Sequence, residues 1–141
     1  MIRHSGKLFA VVLLSIATAT TAFAADDGNT QPRLSTGTIG NGGSATVDIV
    51  GTTNGAGNVK GVSCQSISSG SLGSASVLIT VNGGTAQTLN LGNVNLLQDA
   101  GSNYYTDWIP LNVRYTSSIR VQLTGSQYGS GVSCTVSWAL D

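Results

Sequence analysis

Cys64 and Cys134 are the only two cysteines of this 141-residue chain, and they sit in matching contexts, Gly61-Val62-Ser63-Cys64 and Gly131-Val132-Ser133-Cys134. Two thiols with no histidine beside them leave a zinc shell short of ligands, so the chemistry expected of the pair is a disulfide. An intramolecular bond is the simpler expectation, with a bond between subunits as the alternative. Closing a loop of this length would stabilise the folded state by about 4 kcal/mol on the chain-entropy account.

Catalytic chemistry is hard to assemble from the remaining residues. The one histidine, His4, lies in an N-terminal segment that carries the marks of an export signal, and the chain has no Glu. Past that segment no imidazole is left to act as base for a Ser or Cys nucleophile. A Ser-Lys pair would depend on Lys60, the only lysine beyond the signal. A carboxylate pair would have to come from Asp48, Asp99 and Asp107. Of these, Asp48 alternates with Val47 and Ile49 and is expected to face solvent, while Asp99 sits in the turn-like Gln98-Asp99-Ala100-Gly101. Asn93, Asn95, Asp99 and Asn103 offer oxygen ligands for calcium, but without the spacing of a known calcium loop they are expected to hydrogen-bond their own backbone. No enzyme, cofactor or metal site is expected.

The concentrated feature is Asn103-Tyr104-Tyr105-Thr106-Asp107-Trp108-Ile109-Pro110. As one strand it would place Tyr104, Thr106 and Trp108 on one face and Tyr105, Asp107 and Ile109 on the other. Tyr104, Tyr105, Asp107 and Trp108 are the candidate binding surface, an aromatic platform with polar neighbours suited to stacking on sugars or anchoring a protein interface. In the competing arrangement Trp108 enters the core with the tyrosines capping it. The scarcity of aromatic residues, 6% of the chain, favours the core for Trp108 and leaves Tyr105 evenly divided.

These residues must be held by strands. Residues 1–24 read as a signal peptide: Arg3 and Lys7, an apolar run from Leu8 to Ala17, and the small-residue site Ala22-Phe23-Ala24. Once removed, it leaves no apolar segment long enough to span a membrane. Residues 25–44 are polar, Gly-rich and aperiodic, and are expected to form a flexible leader or a loosely attached edge segment. From residue 45 to 141, alternating apolar runs separated by Gly/Asn/Ser clusters predict strands at Ala45–Val50, Gly61–Ser68, Ser74–Val81, Thr85–Leu91, Tyr104–Leu111, Ser118–Thr124 and Gly131–Leu140. No helical periodicity competes. The fold class expected is all-β: an antiparallel two-sheet β-sandwich of about seven strands, a single domain with one disulfide.

Two finer expectations follow from alternation. A three-residue loop, Asn82-Gly83-Gly84, sets Val77 opposite Leu89 and keeps both apolar sets on one face. Val132, Cys134, Val136 and Trp138 line one face of the last strand, which is expected to be central and to tie down the C-terminus.

Charge excludes further partners. Beyond the signal, Arg33, Lys60, Arg114 and Arg120 stand against six Asp, a net charge of −2, so no basic patch is available for nucleic acid. The expected function is an exported, non-enzymatic structural or adhesive protein of the cell surface or extracellular matrix, or of the periplasm. Its expected partners are another surface protein or further copies of itself, with an N-terminal segment pairing to a neighbour's sheet edge in a fibre. The alternative is a monomeric secreted module that binds a glycan or a protein target.

Overall fold

The computed structural model describes residues 32–41, 45–68, 72, 75–125 and 131–141; the signal segment and residues 25–31 and 42–44 of the leader lie outside them. The protein is an all-β sandwich of two antiparallel sheets. Among the described residues the ten strands are β1 (Arg33–Ile39), β2 (Thr46–Asn54), β3 (Gly57–Ser66), β4 (Ser76–Val81), β5 (Gln87–Asn90), β6 (Leu96–Gln98), β7 (Tyr104–Thr106), β8 (Ile109–Tyr115), β9 (Ser118–Thr124) and β10 (Val132–Leu140). The six-stranded sheet runs β1-β10-β3-β7-β6, with β8 also paired to β3, and the four-stranded sheet runs β2-β9-β4-β5.

Alternation explains the core. Ile119, Val121 and Leu123 of β9 face Val132, Cys134, Val136 and Trp138 of β10, with Val59, Val62, Val77 and Ile79 filling in around them. Each fully buried aliphatic side chain is worth roughly 1.5–3 kcal/mol relative to exposure. Strand β10 is central as expected, flanked by β1 and β3, and the chain end is tied down by the Asp141 N–H donating to the Ala56 carbonyl at 2.9 Å. Cys64 and Cys134 form the intramolecular disulfide between directly opposed residues of β3 and β10, their Cα atoms 4.1 Å apart. The matching tetrapeptides are therefore neighbours within one sheet.

The expectation of about seven strands becomes ten for physical reasons. Residues 33–39, in the stretch expected as a flexible leader or a loosely attached edge segment, form the edge strand β1, registered along its length with β10. Its inward positions are Ser35, Gly37 and Ile39 rather than an apolar series. A Cβ on Gly37 would lie 2.8 Å from the Ile49 side chain, so a small residue is needed where this edge closes over β2. Among the described residues the sandwich thus includes Arg33–Ile39, ahead of residue 45. Strand β6 is only three residues long and too short to show a period. The run Tyr104–Leu111 divides into β7 and β8 at Asp107-Trp108. Strand β3 begins four residues earlier than the alternation implied, because Lys60 is inserted opposite the Ser137–Trp138 step of β10 and breaks the pattern.

The hairpin register agrees with expectation: Val77 pairs with Leu89. The turn geometry differs. Asn82 and Gly83 both take left-handed backbone (φ 53° and 68°), and the Gly84 N–H closes on the Val81 carbonyl at 2.9 Å. This is a tight two-residue turn, and the offset is absorbed at Gly84–Ala86 before β5 begins.

Candidate functional site

Residues directly opposed across a sheet share a face, so the register identifies the outer surface of the six-stranded sheet. One row runs Thr38, Ser133, Gln65, Tyr105, Leu97 across β1, β10, β3, β7 and β6. The next contains Thr36, Thr135 and Ser63, and the next Leu34, Ser137 and Gly61. Hydroxyl groups pair within these rows: the Thr36 and Thr135 Oγ1 atoms are 2.9 Å apart, and Thr38 Oγ1 lies 3.0 Å from Ser133 Oγ.

The aromatic run supplies this face in part. Tyr105 is 37% exposed and sits opposite Gln65. Tyr104 points the other way, half-buried against the core, and Thr106 is buried with its Oγ1 accepting the Cys64 N–H at 2.9 Å. Trp108 corrects the expectation of a core tryptophan. It is 44% exposed, and Trp138 occupies the core instead, donating through Nε1 to Ser35 Oγ at 2.9 Å beneath the Arg33 guanidinium. Trp108 also escapes the face that strict alternation assigned to it, because the chain leaves the strand at Asp107, whose Oδ1 accepts the Trp108 N–H at 2.8 Å. The indole lies over Gly61, where a Cβ would come within 2.5 Å of its Cζ2 atom. Tyr105 at residue 65 and Trp108 at residue 61 of β3 are therefore about 13 Å apart along the sheet. Asp107 is exposed between them, engaged with the Trp108 backbone.

Around Tyr105 the surface is shallowly concave. A depression of about 210 Å³ is lined by Ser63, Gln65, Tyr105, Thr106 and Thr135, and one of about 360 Å³ by Gln65, Ile67, Asp99, Asn103 and Tyr105. Both include the Tyr105 ring and the Gln65 amide. The Asp99 carboxylate is occupied by its own loop: Oδ1 accepts the Gly101 and Asn103 N–H groups at 2.8 and 2.9 Å, and Oδ2 accepts Asn103 Nδ2 at 3.0 Å. These bonds, led by the Asn103 side chain, hold its pKa below the ordinary carboxylate value. Asp48 lies on the other sheet, its pKa lowered by the hydrogen bond from Arg120 Nε at 2.9 Å. Among the described residues no three of His, Cys, Asp and Glu converge.

The distribution of apolar surface is one-sided. Of the described residues, five large hydrophobic side chains are exposed: Leu34, Ile67, Leu97, Tyr105 and Trp108. By register Leu34, Leu97 and Tyr105 belong to the outer face of the six-stranded sheet; Trp108 adjoins it over Gly61, and Ile67 lies just past β3, bonded through its N–H to the Gly131 carbonyl. The opposite outer face carries the Asp48–Arg120 ion pair, Thr, Ser and Gln side chains, and the half-buried Leu78. Sequence reasoning found Tyr105 and Trp108 but missed Thr36, Thr38, Ser63, Gln65 and Thr135. The polar alternation of Ser133, Thr135 and Ser137 on the reverse of β10 was the available signal; only the register joins it to β1 and β3.

No known protein-family model matches the chain, and no curated protein matches it by sequence. Among the described residues no helix is long and apolar enough to cross a membrane.

Proposed function

We propose that this chain is an exported, non-enzymatic adhesive protein of the cell surface or extracellular matrix that engages its target through the outer face of the six-stranded sheet. The observation that carries this reading is that the exposed large hydrophobic side chains of the described residues lie on that one face (Leu34, Leu97, Tyr105) or adjoin it (Ile67, Trp108). An apolar surface concentrated in this way marks an interaction site. Export is supported by the N-terminal signal pattern and by a disulfide, which persists in oxidising compartments. A non-catalytic role is supported by the carboxylates: Asp48 is paired with Arg120, Asp141 with Arg114, and Asp99 and Asp107 bind their own loops.

Apart from β1, seven residues long and paired with β10 without a register shift, the sheet edges support face binding over strand-exchange assembly. Strands β5 and β6 are four and three residues long. Strand β8 carries Pro110 and a left-handed Asn112 (φ 51°), and β2 has two register shifts. Short, bulged or proline-bearing edges resist pairing with another chain.

The test is oligomeric state together with retention. Light scattering on the oxidised chain from residue 25 is expected to give one non-fibrous species, and the labelled protein is expected to be retained by the producing cells or their matrix. Fibres that form equally well with Tyr105→Ala/Trp108→Ala would replace adhesion through this face with assembly through another.

A further inference from the structure

The outer face of the six-stranded sheet has an order opposite to that of a protein–protein interface. Protein interfaces place apolar anchors at the centre and polar groups at the rim. Here the centre is hydroxyl and amide, from Thr36, Thr135, Ser63, Thr38, Ser133 and Gln65, and the large apolar side chains stand around it. The three rows hold no charged residue, and the charges at their margin are of both signs: exposed Lys60 beside Gly61, Asp107 before Trp108, Asp99 held by its own loop, and Arg114 paired with Asp141. A ligand matched to this pattern carries many hydroxyls, has apolar C–H faces to lay on aromatic rings, and has no net charge. We infer that the occupant is a neutral oligosaccharide laid along the direction of β3, with one sugar on the Tyr105 ring, another on the Trp108 indole, and the intervening hydroxyls on Ser63 and Thr135.

The inference rests on the adhesive reading above and narrows it. The separation of about 13 Å between the two aromatic positions means that no single sugar touches both, so recognition depends on chain length. The two rings are held differently. Tyr105 is bracketed by the two depressions that share Gln65, whereas Trp108 is seated on the bare backbone of Gly61. Neutrality predicts weak salt dependence, unlike binding to a polyanion.

The experiment titrates the oxidised full mature chain with neutral hexasaccharides of glucose, N-acetylglucosamine, mannose and galactose, and with the corresponding monosaccharides. Tryptophan fluorescence and amide chemical shifts are followed. At least one hexasaccharide is expected to bind saturably and at least tenfold tighter than its monosaccharide. Tyr105→Ala and Trp108→Ala should each weaken it roughly tenfold. Thr135→Val, which removes a hydroxyl at nearly constant shape, should weaken it severalfold with the fold intact by circular dichroism. Absence of saturable binding for all four hexasaccharides at millimolar concentration overturns the inference, as does binding that is unaffected by all three variants or that is abolished by moderate salt. If retention on cells still requires Tyr105 and Trp108 in that case, the adhesive reading stands and its partner is a protein.

Discussion

Asn82 shows how one exposed side chain organises an end of the sandwich. Its Oδ1 accepts the N–H groups of Thr116, Ser117 and Ser118 at 2.9, 2.8 and 3.3 Å, joining the β4–β5 turn to the β8–β9 turn. Its backbone is left-handed, which Asn tolerates better than most residues. Asn82→Ala should therefore cost about 1–2 kcal/mol in denaturant unfolding, whereas Asn82→Asp keeps the acceptor and should stay close to wild type. Gly61 is constrained from the other direction. A Cβ there would meet both the Trp108 ring at 2.5 Å and the Ile109 carbonyl oxygen at 2.6 Å. Gly61→Ala should destabilise by about 1–3 kcal/mol and displace Trp108, visible as a shift in indole emission.

Titration is also a residue-scale matter. Arg120 lowers the pKa of Asp48, and Asn103 that of Asp99. A carboxylate with a depressed folded pKa contributes stability above its unfolded value near 4, and that contribution is lost as pH falls through the folded value. The denaturant midpoint should thus drop below about pH 4, and Asp48→Asn with Asp99→Asn should flatten that limb. Tyr115 has the opposite sign: burial first, then the Asp141 charge, raise its pKa. Its contribution is complete below the unfolded value near 10 and fades as pH rises through the folded one, so Tyr115→Phe should remove part of the alkaline limb.

At the scale of elements, the legible strands were those whose two faces differ. Strands β9 and β10 follow strict alternation and agree with expectation to within one residue. Strand β1 was illegible because close contact with β2 requires Gly37 where an apolar residue would have announced a strand. The break between β7 and β8 was hidden for a related reason. Side chains replace backbone in the pairing with β3, Thr106 Oγ1 accepting from Cys64 and Ser66 Oγ from the Tyr104 N–H at 2.9 Å. Alternation counts residues as if the ladder were continuous, so it carried Trp108 to the wrong face. The candidate site was legible as an aromatic cluster, but its partners on β1, β3 and β10 exist only through register. The disulfide holds that register at its centre. Reduction, or Cys64→Ala/Cys134→Ala, should lower stability by about 4 kcal/mol and should be read as a fall in the denaturant midpoint.

At the scale of the whole molecule, the two outer faces of the sandwich differ in composition, and the proposed function rests on that difference. One is a charged-pair and hydroxyl surface around Arg120 and Asp48, suited to staying in water. The other combines hydroxyl rows with Tyr105, Trp108 and their aliphatic neighbours, suited to holding a target. On the proposed adhesive reading, low charge in the chain as a whole, 9% of residues, would make short-range contact rather than long-range attraction the basis of recognition. The most direct test compares retention of the labelled, oxidised protein on its producing cells after Tyr105→Ala/Trp108→Ala with retention after Arg120→Ala/Gln122→Ala on the opposite face. The account predicts that the first pair lowers retention at least tenfold while the second leaves it within twofold of wild type. Equal losses from both pairs, or a loss confined to the second, would contradict it.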